Sequence, residues 1–159
     1  MKYCLVFLVA FVLGLSTAIA QSTIFVVRHA EKAETAGPDP ELSEAGHARA
    51  ETLARTLKDA DITTIYASEF KRTQETAAPL AKALGIKVVN VPAKDTATLT
   101  AKLRTMHGNI LVVGHGDTIP DLLKALGIST PINIAENDYD ELLVILLDGT
   151  PRFIHLHYR

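Results

Sequence analysis

The sequence contains a single cysteine, Cys4, and it lies within an apolar N-terminal segment. If that segment is removed on export, disulfides and thiol chemistry are excluded, and the domain depends on its apolar core alone. The chain also lacks an excess of basic residues, since 16 Lys and Arg stand against 18 Asp and Glu. This balance gives no basis for a nucleic-acid partner, which would require a basic stripe. A small anionic ligand is not excluded, because a pocket needs only local positive potential.

No apolar run is long enough to cross a bilayer comfortably as a helix. The N-terminal run spans residues 5–15, follows Lys2 and precedes Ala18-Ile19-Ala20. This is the layout of a secretory signal peptide with its cleavage site. We therefore expect a signal peptide at residues 1–20, one domain at residues 21–159, and a secreted or periplasmic mature protein without a membrane span. An uncleaved anchor is the alternative.

Short apolar runs alternate along the chain with segments that have helical character. The predicted strands are residues 23–28, 62–67, 86–91, 110–113, 142–147 and 152–158, and the predicted helices are residues 43–60, 69–84, 96–106 and 119–126. This alternation predicts a three-layer α/β/α sandwich whose central sheet is mostly parallel with one antiparallel edge strand. Within the second helix, Ser68 is interpreted as its N-cap, and Pro79 predicts a kink or local break.

Two of these apolar strands end abruptly in a histidine. Residues 24–27 (I-F-V-V) precede Arg28 and His29, and residues 110–113 (I-L-V-V) precede Gly114 and His115. In open α/β sheets, ligands bind in the crevice beyond the carboxyl ends of the strands. Arg72 is expected on the first turn of the second helix, where unpaired N–H groups also favour an anion.

These residue types suit phosphoryl transfer. Two guanidinium groups, from Arg28 and Arg72, can hold a tetrahedral dianion through charge-assisted hydrogen bonds. A neutral imidazole can attack phosphorus, and a second, protonated imidazole can stabilise charge on the equatorial oxygens. The sequence therefore predicts a phosphate-binding pocket that contains a nucleophile.

Five motifs in order resemble the histidine phosphatase superfamily, whose fold is called phosphoglycerate mutase-like. They are V-R-H-A-E-K at residues 27–32, L-S-E-A-G at 42–46, Y-A-S-E-F-K-R-T-Q-E-T-A at 66–77, V-G-H-G at 113–116 and Y-D-E-L at 139–142. The resemblance implies that His29 is the nucleophile and forms a phosphohistidine. It also implies that Arg28, Arg72 and His115 bind the phosphoryl group, and that no metal or cofactor is needed. A backbone carbonyl is expected to fix the tautomer of His29.

The general acid is the point where the chain departs from many members of the family. Those members carry a catalytic carboxylate in an insertion after the third strand, whereas this chain has only residues 92–96 there. The chain is therefore similar to the short members, including phosphohistidine phosphatases. Glu31 is the first candidate for the acid, and Asp95 and Asp117 are the others. If none of them serves, leaving groups that need little protonation are expected.

The resemblance implies an exported phosphatase that hydrolyses phosphomonoesters of a small phosphorylated substrate. One alternative is a phosphatase of phosphoramidates, phosphoproteins or an envelope phospho-sugar. Another, of a different class, is a non-catalytic phosphate-binding protein. The oligomeric state does not follow from the sequence.

Overall fold

The computed structural model describes residues 22–34 and 37–159, so the predicted signal peptide at residues 1–20 lies outside the described residues. The described part contains six strands and four helices. In chain order they are β1 (Ser22–Arg28), α1 (Glu44–Leu57), β2 (Ile62–Ala67), α2 (Lys71–Leu84), β3 (Val88–Asn90), α3 (Thr96–Thr105), β4 (Gly108–Gly114), α4 (Ile119–Ala125), β5 (Glu141–Leu147) and β6 (Arg152–His157). Within these residues no helix is both long and apolar enough to cross a membrane.

The strands form one sheet in the order β3-β2-β4-β1-β5-β6. The first four of these strands are parallel to their neighbours, β5 runs antiparallel to β1, and the edge strand β6 pairs antiparallel with β5. β1 and β4 lie side by side at the centre, with Arg28 opposite Gly114. The predicted sandwich with a mostly parallel sheet is confirmed.

Each face of the sheet is covered by a pair of helices. One core packs α1 and α2 against the sheet, and it includes Leu53, Leu80, Ile65 and Leu111. The other packs α3 and α4 against the opposite face, and it includes Leu103, Leu123, Val26 and Ile110. Because β1 and β4 are covered on both sides, their sequences are continuous apolar runs rather than alternating ones.

The start and interior of α2 differ from the sequence prediction. The helix begins at Lys71 with Phe70 as its N-cap, so Ser68 does not cap it; the Ser68 side chain bonds elsewhere, as described below. Pro79 lies inside α2 and does not break it. Proline removes only one backbone donor, and the buried neighbours Leu80 and Ala81 hold this stretch of the helix against the core. Gly85 then ends the helix in a left-handed conformation.

The loop after β1 rests directly on the start of α1. Ser43 caps this helix through Gly46 N, and both its backbone N–H and its hydroxyl donate to Glu31 O. A Cβ atom at position 46 would clash with Glu31 O, so only glycine allows this approach. The glycine of the L-S-E-A-G motif therefore lets α1 hold the chain that follows His29.

Candidate active site

His29 follows the last residue of β1 and is held by contacts on both its backbone and its ring. Its backbone N–H donates to Gly114 O of the neighbouring strand at 2.9 Å. Its ring Nδ1 lies 2.8 Å from Ala30 O. A carbonyl oxygen can only accept, so Nδ1 carries the hydrogen and Nε2 keeps its lone pair. The expected carbonyl is thus that of the next residue along the chain.

The His29 imidazole is almost fully buried and remains neutral over a wide pH range. Burial lowers the pKa of His29 from its ordinary 6.5 to about 4. The hydrogen bond to Ala30 acts in the opposite direction, and the positive charges of Arg28 and Arg72 add to the lowering. The ring is therefore an uncharged base with a free nitrogen at neutral pH.

His115 follows β4 and brings a second imidazole to the first. The two ring centroids lie 5.3 Å apart. His115 Nε2 lies 2.8 Å from Ser68 Oγ, and its Nδ1 lies 3.5 Å from Arg72 Nη2. Burial, and next the positive charge of Arg72, lower the pKa of His115. An anion bound beside Arg72 would shift the pKa of His115 in the opposite direction, because its negative charge stabilises the imidazolium.

The two arginines present unused hydrogen-bond donors. Within the described part of the chain, Arg28 Nε and Arg72 Nη1 are buried and have no hydrogen-bond partner. Asp39 approaches Arg72 Nη1 only to 3.8 Å. A buried charged donor without a partner is costly, so its presence in a folded protein indicates a place for an anionic ligand. Arg28, His29, Arg72 and His115, all predicted from the sequence, are thus brought to one end of the sheet.

A cleft of about 500 Å³ opens beside these groups. Its lining includes His29 and Arg72 together with carboxylates, a lysine and a phenol: Lys32, Glu34, Glu136 and Tyr139. The wall formed by residues 135–139 is fastened to Arg28, whose Nη1 donates to Ala135 O at 2.8 Å and to Glu136 O at 2.7 Å. The Arg28 guanidinium also lies 4.5 Å from the centre of the Tyr139 ring. Arg28 therefore holds the wall of the cleft through Nη1, while its Nε stays without a hydrogen-bond partner among the described residues.

Glu31, the first candidate for the acid, is not brought to this cleft. Its carboxylate forms an ion pair with Arg49 of α1, with an Oε1–Nη2 distance of 2.6 Å and further bonds to Arg49 Nε. Partial burial would raise the pKa of Glu31, but the hydrogen bonds from Arg49 outweigh it and the pKa is lowered. The structure places Glu31 as an anchor between the His29 loop and α1, with no proton to give at neutral pH.

The other two carboxylates considered from the sequence also lie outside the cleft lining. Asp95 caps α3 by accepting from Thr98 N, and it lines a separate, smaller cavity on the Ser68 side of His115. Asp117 lies two residues after His115, and its negative charge acts to raise the pKa of that histidine. The carboxylates that share the cleft with His29 are Glu34 and Glu136.

Three side chains that build the site are not among the residues predicted from the sequence to form it. Ser68, predicted to cap α2, bonds His115 instead. Thr76 accepts a hydrogen bond from Ala30 N at 2.9 Å and so holds the backbone next to His29. Tyr139 packs on Arg28, and its ring centroid lies 6.1 Å from that of His29. Ser68 and Thr76 belong to the motif at residues 66–77, so the only available signal was their place in that pattern.

The family comparison identifies the segment that contains three of the four converging groups. Residues 24–95, which include Arg28, His29 and Arg72, match the model of the histidine phosphatase superfamily, branch 1. Over this segment the chain is similar to the histidine phosphatase superfamily. No curated protein sequence matches it.

Solved structures share the fold of this chain at low sequence identity. The protein histidine phosphatase SixA complexed with tungstate has 21% identity and a TM-score of 0.73, over 85% of this chain and 96% of that chain. A mycobacterial glucosyl-3-phosphoglycerate phosphatase with inorganic phosphate has 17% identity and a TM-score of 0.66, over 84% and 95%. Phosphoglycerate mutase from Bacillus anthracis has 18% identity and a TM-score of 0.66, over 86% and 92%. At this identity the likeness concerns the fold.

Within residues 22–34 and 37–159, no group of three or more His, Cys, Asp or Glu side chains is arranged to hold a metal ion. The two histidines of β6, His155 and His157, stack with their ring centroids 5.1 Å apart. Each faces a carboxylate, Glu141 or Asp140. They lie on the edge strand and take no part in the cleft lining.

Proposed function

We propose that this histidine phosphatase domain hydrolyses small phosphomonoesters through a phosphohistidine on His29. The observation that carries the proposal is the combination of a neutral His29 with a lone pair on Nε2 and two buried donors, Arg28 Nε and Arg72 Nη1. Neither donor has a hydrogen-bond partner among residues 22–34 and 37–159. This combination offers a nucleophile and a cationic cradle at the same place. It supplies what phosphoryl transfer requires most, which is positioning and positive charge.

The reaction has two displacements at phosphorus. In the first, the Nε2 lone pair of His29 forms an N–P bond while the ester O–P bond breaks, and the leaving oxygen takes a proton. In the second, a water oxygen attacks the same phosphorus, its proton is lost, and the N–P bond breaks to release phosphate and the neutral imidazole. Arg28, Arg72 and protonated His115 bind the equatorial oxygens in both steps. Because the arginines supply this charge, the proposal requires no metal, and activity should persist after dialysis against EDTA.

The weakest candidates in this site are those for the general acid, which gives the leaving oxygen its proton. Glu31 is paired with Arg49, and the carboxylates that line the cleft, Glu34 and Glu136, are the nearest by position. We infer that esters with good leaving groups, such as aryl phosphates, and phosphoramidates are turned over faster than alkyl phosphates. A phosphorylated sugar of the cell envelope is the alternative substrate within the same chemistry.

We also propose that the chain is exported with removal of residues 1–20. The support is the sequence pattern of Lys2, the apolar run at residues 5–15 and the small residues before Gln21. Expression of the full chain in a bacterial host, followed by mass determination of the protein, tests this. A mature N-terminus at Gln21 in the periplasmic fraction or the medium is expected. A full-length, membrane-bound product would contradict it.

The decisive experiment for the chemistry is capture of the phosphoenzyme. Residues 21–159 would be mixed with a ³²P-labelled phosphoester and quenched under alkaline denaturing conditions, which preserve phosphohistidine. We expect labelled protein and multiple turnover for the unchanged chain and for His47→Ala, which alters an exposed histidine of α1, but neither for His29→Ala. Labelled protein from the His29→Ala variant would overturn the assignment of His29 as the nucleophile. Vanadate or phosphate binding without turnover of any ester in a broad panel would favour a non-catalytic phosphate-binding protein.

A further inference from the structure

The side chain that contacts His115 from behind is Ser68, which lies between β2 and α2. Ser68 is almost fully buried, and its Oγ lies 2.8 Å from both His115 Nε2 and Thr73 Oγ1. Thr73 is fully buried in the first turn of α2. Three groups, from the loop after β4, the β2–α2 connection and α2, thus form one continuous chain of hydrogen bonds.

Which group donates and which accepts in these hydrogen bonds follows from Thr73, the last of the three. Thr73 Oγ1 lies 2.8 Å from Phe70 O and 3.1 Å from Ser68 O, and both carbonyls can only accept. Two oxygens at 2.8 Å without a hydrogen between them repel, so the single hydroxyl hydrogen of Thr73 points to a carbonyl. Thr73 Oγ1 must then accept from the Ser68 hydroxyl. With its own hydrogen used in this way, Ser68 Oγ accepts from His115.

The opposite side of the His115 ring gives the same answer independently. Its Nδ1 faces Arg72 Nη2 at 3.5 Å, and a guanidinium has donors but no acceptor. A hydrogen on Nδ1 would therefore meet another donor, whereas a lone pair there meets a positive charge. Both sides of the ring place the hydrogen of neutral His115 on Nε2.

We propose that Ser68, supported by Thr73, is a positioning residue that holds the proton of His115 on Nε2 and directs its Nδ1 lone pair toward Arg72. His115 then takes its second proton on Nδ1, the nitrogen on the Arg72 side. From there Nδ1–H can donate a hydrogen bond to a bound phosphoryl oxygen. Without the Ser68 hydroxyl, Nε2–H loses its acceptor and the two tautomers become closer in energy. This inference rests on the proposed function for its catalytic consequence but not for the tautomer itself.

Several charged groups act on His115 and enter any interpretation of its titration. Arg28 comes from the end of β1, Glu69 and Arg72 from the segment before and within α2, and Asp117 from its own loop. The titratable ring of His29 faces it as well, with the two ring centroids 5.3 Å apart. The substitutions below leave all five in place. Any change in titration then reports on the loss of the hydroxyl chain.

The direct test is the tautomeric state of His115 in the unliganded protein. Long-range ¹H–¹⁵N correlation spectra of residues 21–159, with the His115 ring assigned by comparison with His115→Asn, separate protonated from unprotonated ring nitrogens. We expect a protonated Nε2 and an unprotonated Nδ1 for His115. We expect the reverse pattern for His29, which serves as an internal reference. A protonated Nδ1 on neutral His115 would overturn the proposal, whether or not the protein proves to be a phosphatase.

Variants then test the role of the hydrogen bonds that link His115, Ser68 and Thr73. Ser68→Ala and Thr73→Val should shift the His115 pattern toward a mixture of tautomers, and Thr73→Ser, which keeps a hydroxyl, should restore it. Thr100→Val is the matched control, since Thr100 is a similarly buried helical threonine of α3 that donates to Thr96 O, away from the site. An unchanged His115 pattern in a folded Ser68→Ala protein would overturn the proposal.

The kinetic consequence separates positioning from a merely structural role. We expect Ser68→Ala to lower kcat on an aryl phosphate by about ten- to a hundredfold, the scale observed when partners that orient histidines are removed. The alkaline limb of the pH profile should also move to lower pH, because an acceptor on Nε2–H stabilises the imidazolium. A proportional loss at every pH, with no shift of that limb, would argue that Ser68 serves stability alone.

Discussion

The two strand ends that build the site place similar side chains under opposite constraints. His29 and His115 follow adjacent parallel strands, and both are buried with a lowered pKa. The proton of His29 is held on Nδ1 by the carbonyl of the next residue. The proton of His115 is held on Nε2 by a hydroxyl 47 positions away in the sequence. One ring therefore offers Nε2 as a free base, and the other offers Nδ1.

The difference shows how one fold can give two imidazoles different tasks. A local backbone contact fixes His29, so its geometry follows from the turn after β1. A contact between distant segments fixes His115, so its geometry depends on the packing of α2 beside β4. The first arrangement suits a nucleophile that must stay neutral, and the second suits a donor that gains its proton when an anion arrives.

Replacing each histidine in turn should separate these tasks most sharply. We expect His29→Ala to reduce kcat by more than about 10⁴-fold, because the nucleophile is lost. His115→Ala should reduce it by about 10²- to 10³-fold, the usual effect of removing one preorganised donor. Steady-state rates on an aryl phosphate, with phosphoenzyme trapping, measure both. Equal losses, or no trapped intermediate with His115→Ala, would show that the two rings do not divide the work in this way.

The two arginines extend the comparison, because only the β1 arginine also holds the cleft wall. We expect Arg28→Ala and Arg72→Ala each to lower kcat/KM by about 10²- to 10³-fold through loss of a charge-assisted contact. Only Arg28→Ala should also lower the free energy of unfolding, by about 1–2 kcal/mol, since the carbonyls of Ala135 and Glu136 lose the hydrogen bonds from Arg28 Nη1. Urea denaturation distinguishes them, with Arg55→Ala, which alters an exposed side chain of α1, as the control. Similar stabilities for the two variants would contradict the dual role of Arg28.

The buried neutral histidines also predict how stability depends on pH. Below the ordinary pKa of 6.5 the unfolded chain binds a proton that folded His29 does not bind until about pH 4. The free energy of unfolding should therefore fall as the pH is lowered through this window and change less below it. His115 acts in the same direction. Denaturation midpoints across the window test this, and His29→Ala should show a smaller decline; an identical decline would assign the effect to other groups.

The smallest effect is expected at the carboxylate nearest to His29 in sequence. Glu31→Gln should change kcat by less than about threefold, because the Glu31 carboxylate is occupied by Arg49 and holds no proton. It should cost about 1 kcal/mol of stability through the weakened ion pair. Glu44→Gln, at an exposed position in the first turn of α1, is the control. A loss of activity above a hundredfold would restore Glu31 as the proton donor.

Much of the fold and the core of the site could be predicted because their signals are local. The apolar runs before His29 and His115 identify two strands buried on both faces, and parallel strands bring their carboxyl ends to one edge. Arg72 lies in the first turn of α2, as the sequence pattern predicts. Glu31 could not be placed in this way, since its proximity to His29 along the chain does not tell which direction its side chain takes.

Ser68 illustrates the same limit from the other side. A serine before a helix is a good candidate for a cap, and nothing local distinguishes that use from a bond to a histidine on another strand. The structure decides between them because β4 lies beside β2, which brings His115 within 2.8 Å of the hydroxyl. The N-cap residue Phe70 makes no side-chain bond to the helix, and Asp39 Oδ1 accepts from Lys71 N at 2.9 Å instead.

Residue type and spacing were enough to predict the order of strands and helices, the two histidines at strand ends and the absence of a thiol in residues 21–159. Tertiary structure alone decided which donors stay unpaired, which nitrogen of each imidazole keeps its proton, and which carboxylates line the cleft. These properties depend on distances between atoms that are far apart in the chain. A hydrogen bond or a desolvated charge exists only once folding has brought its partners to within a few ångströms.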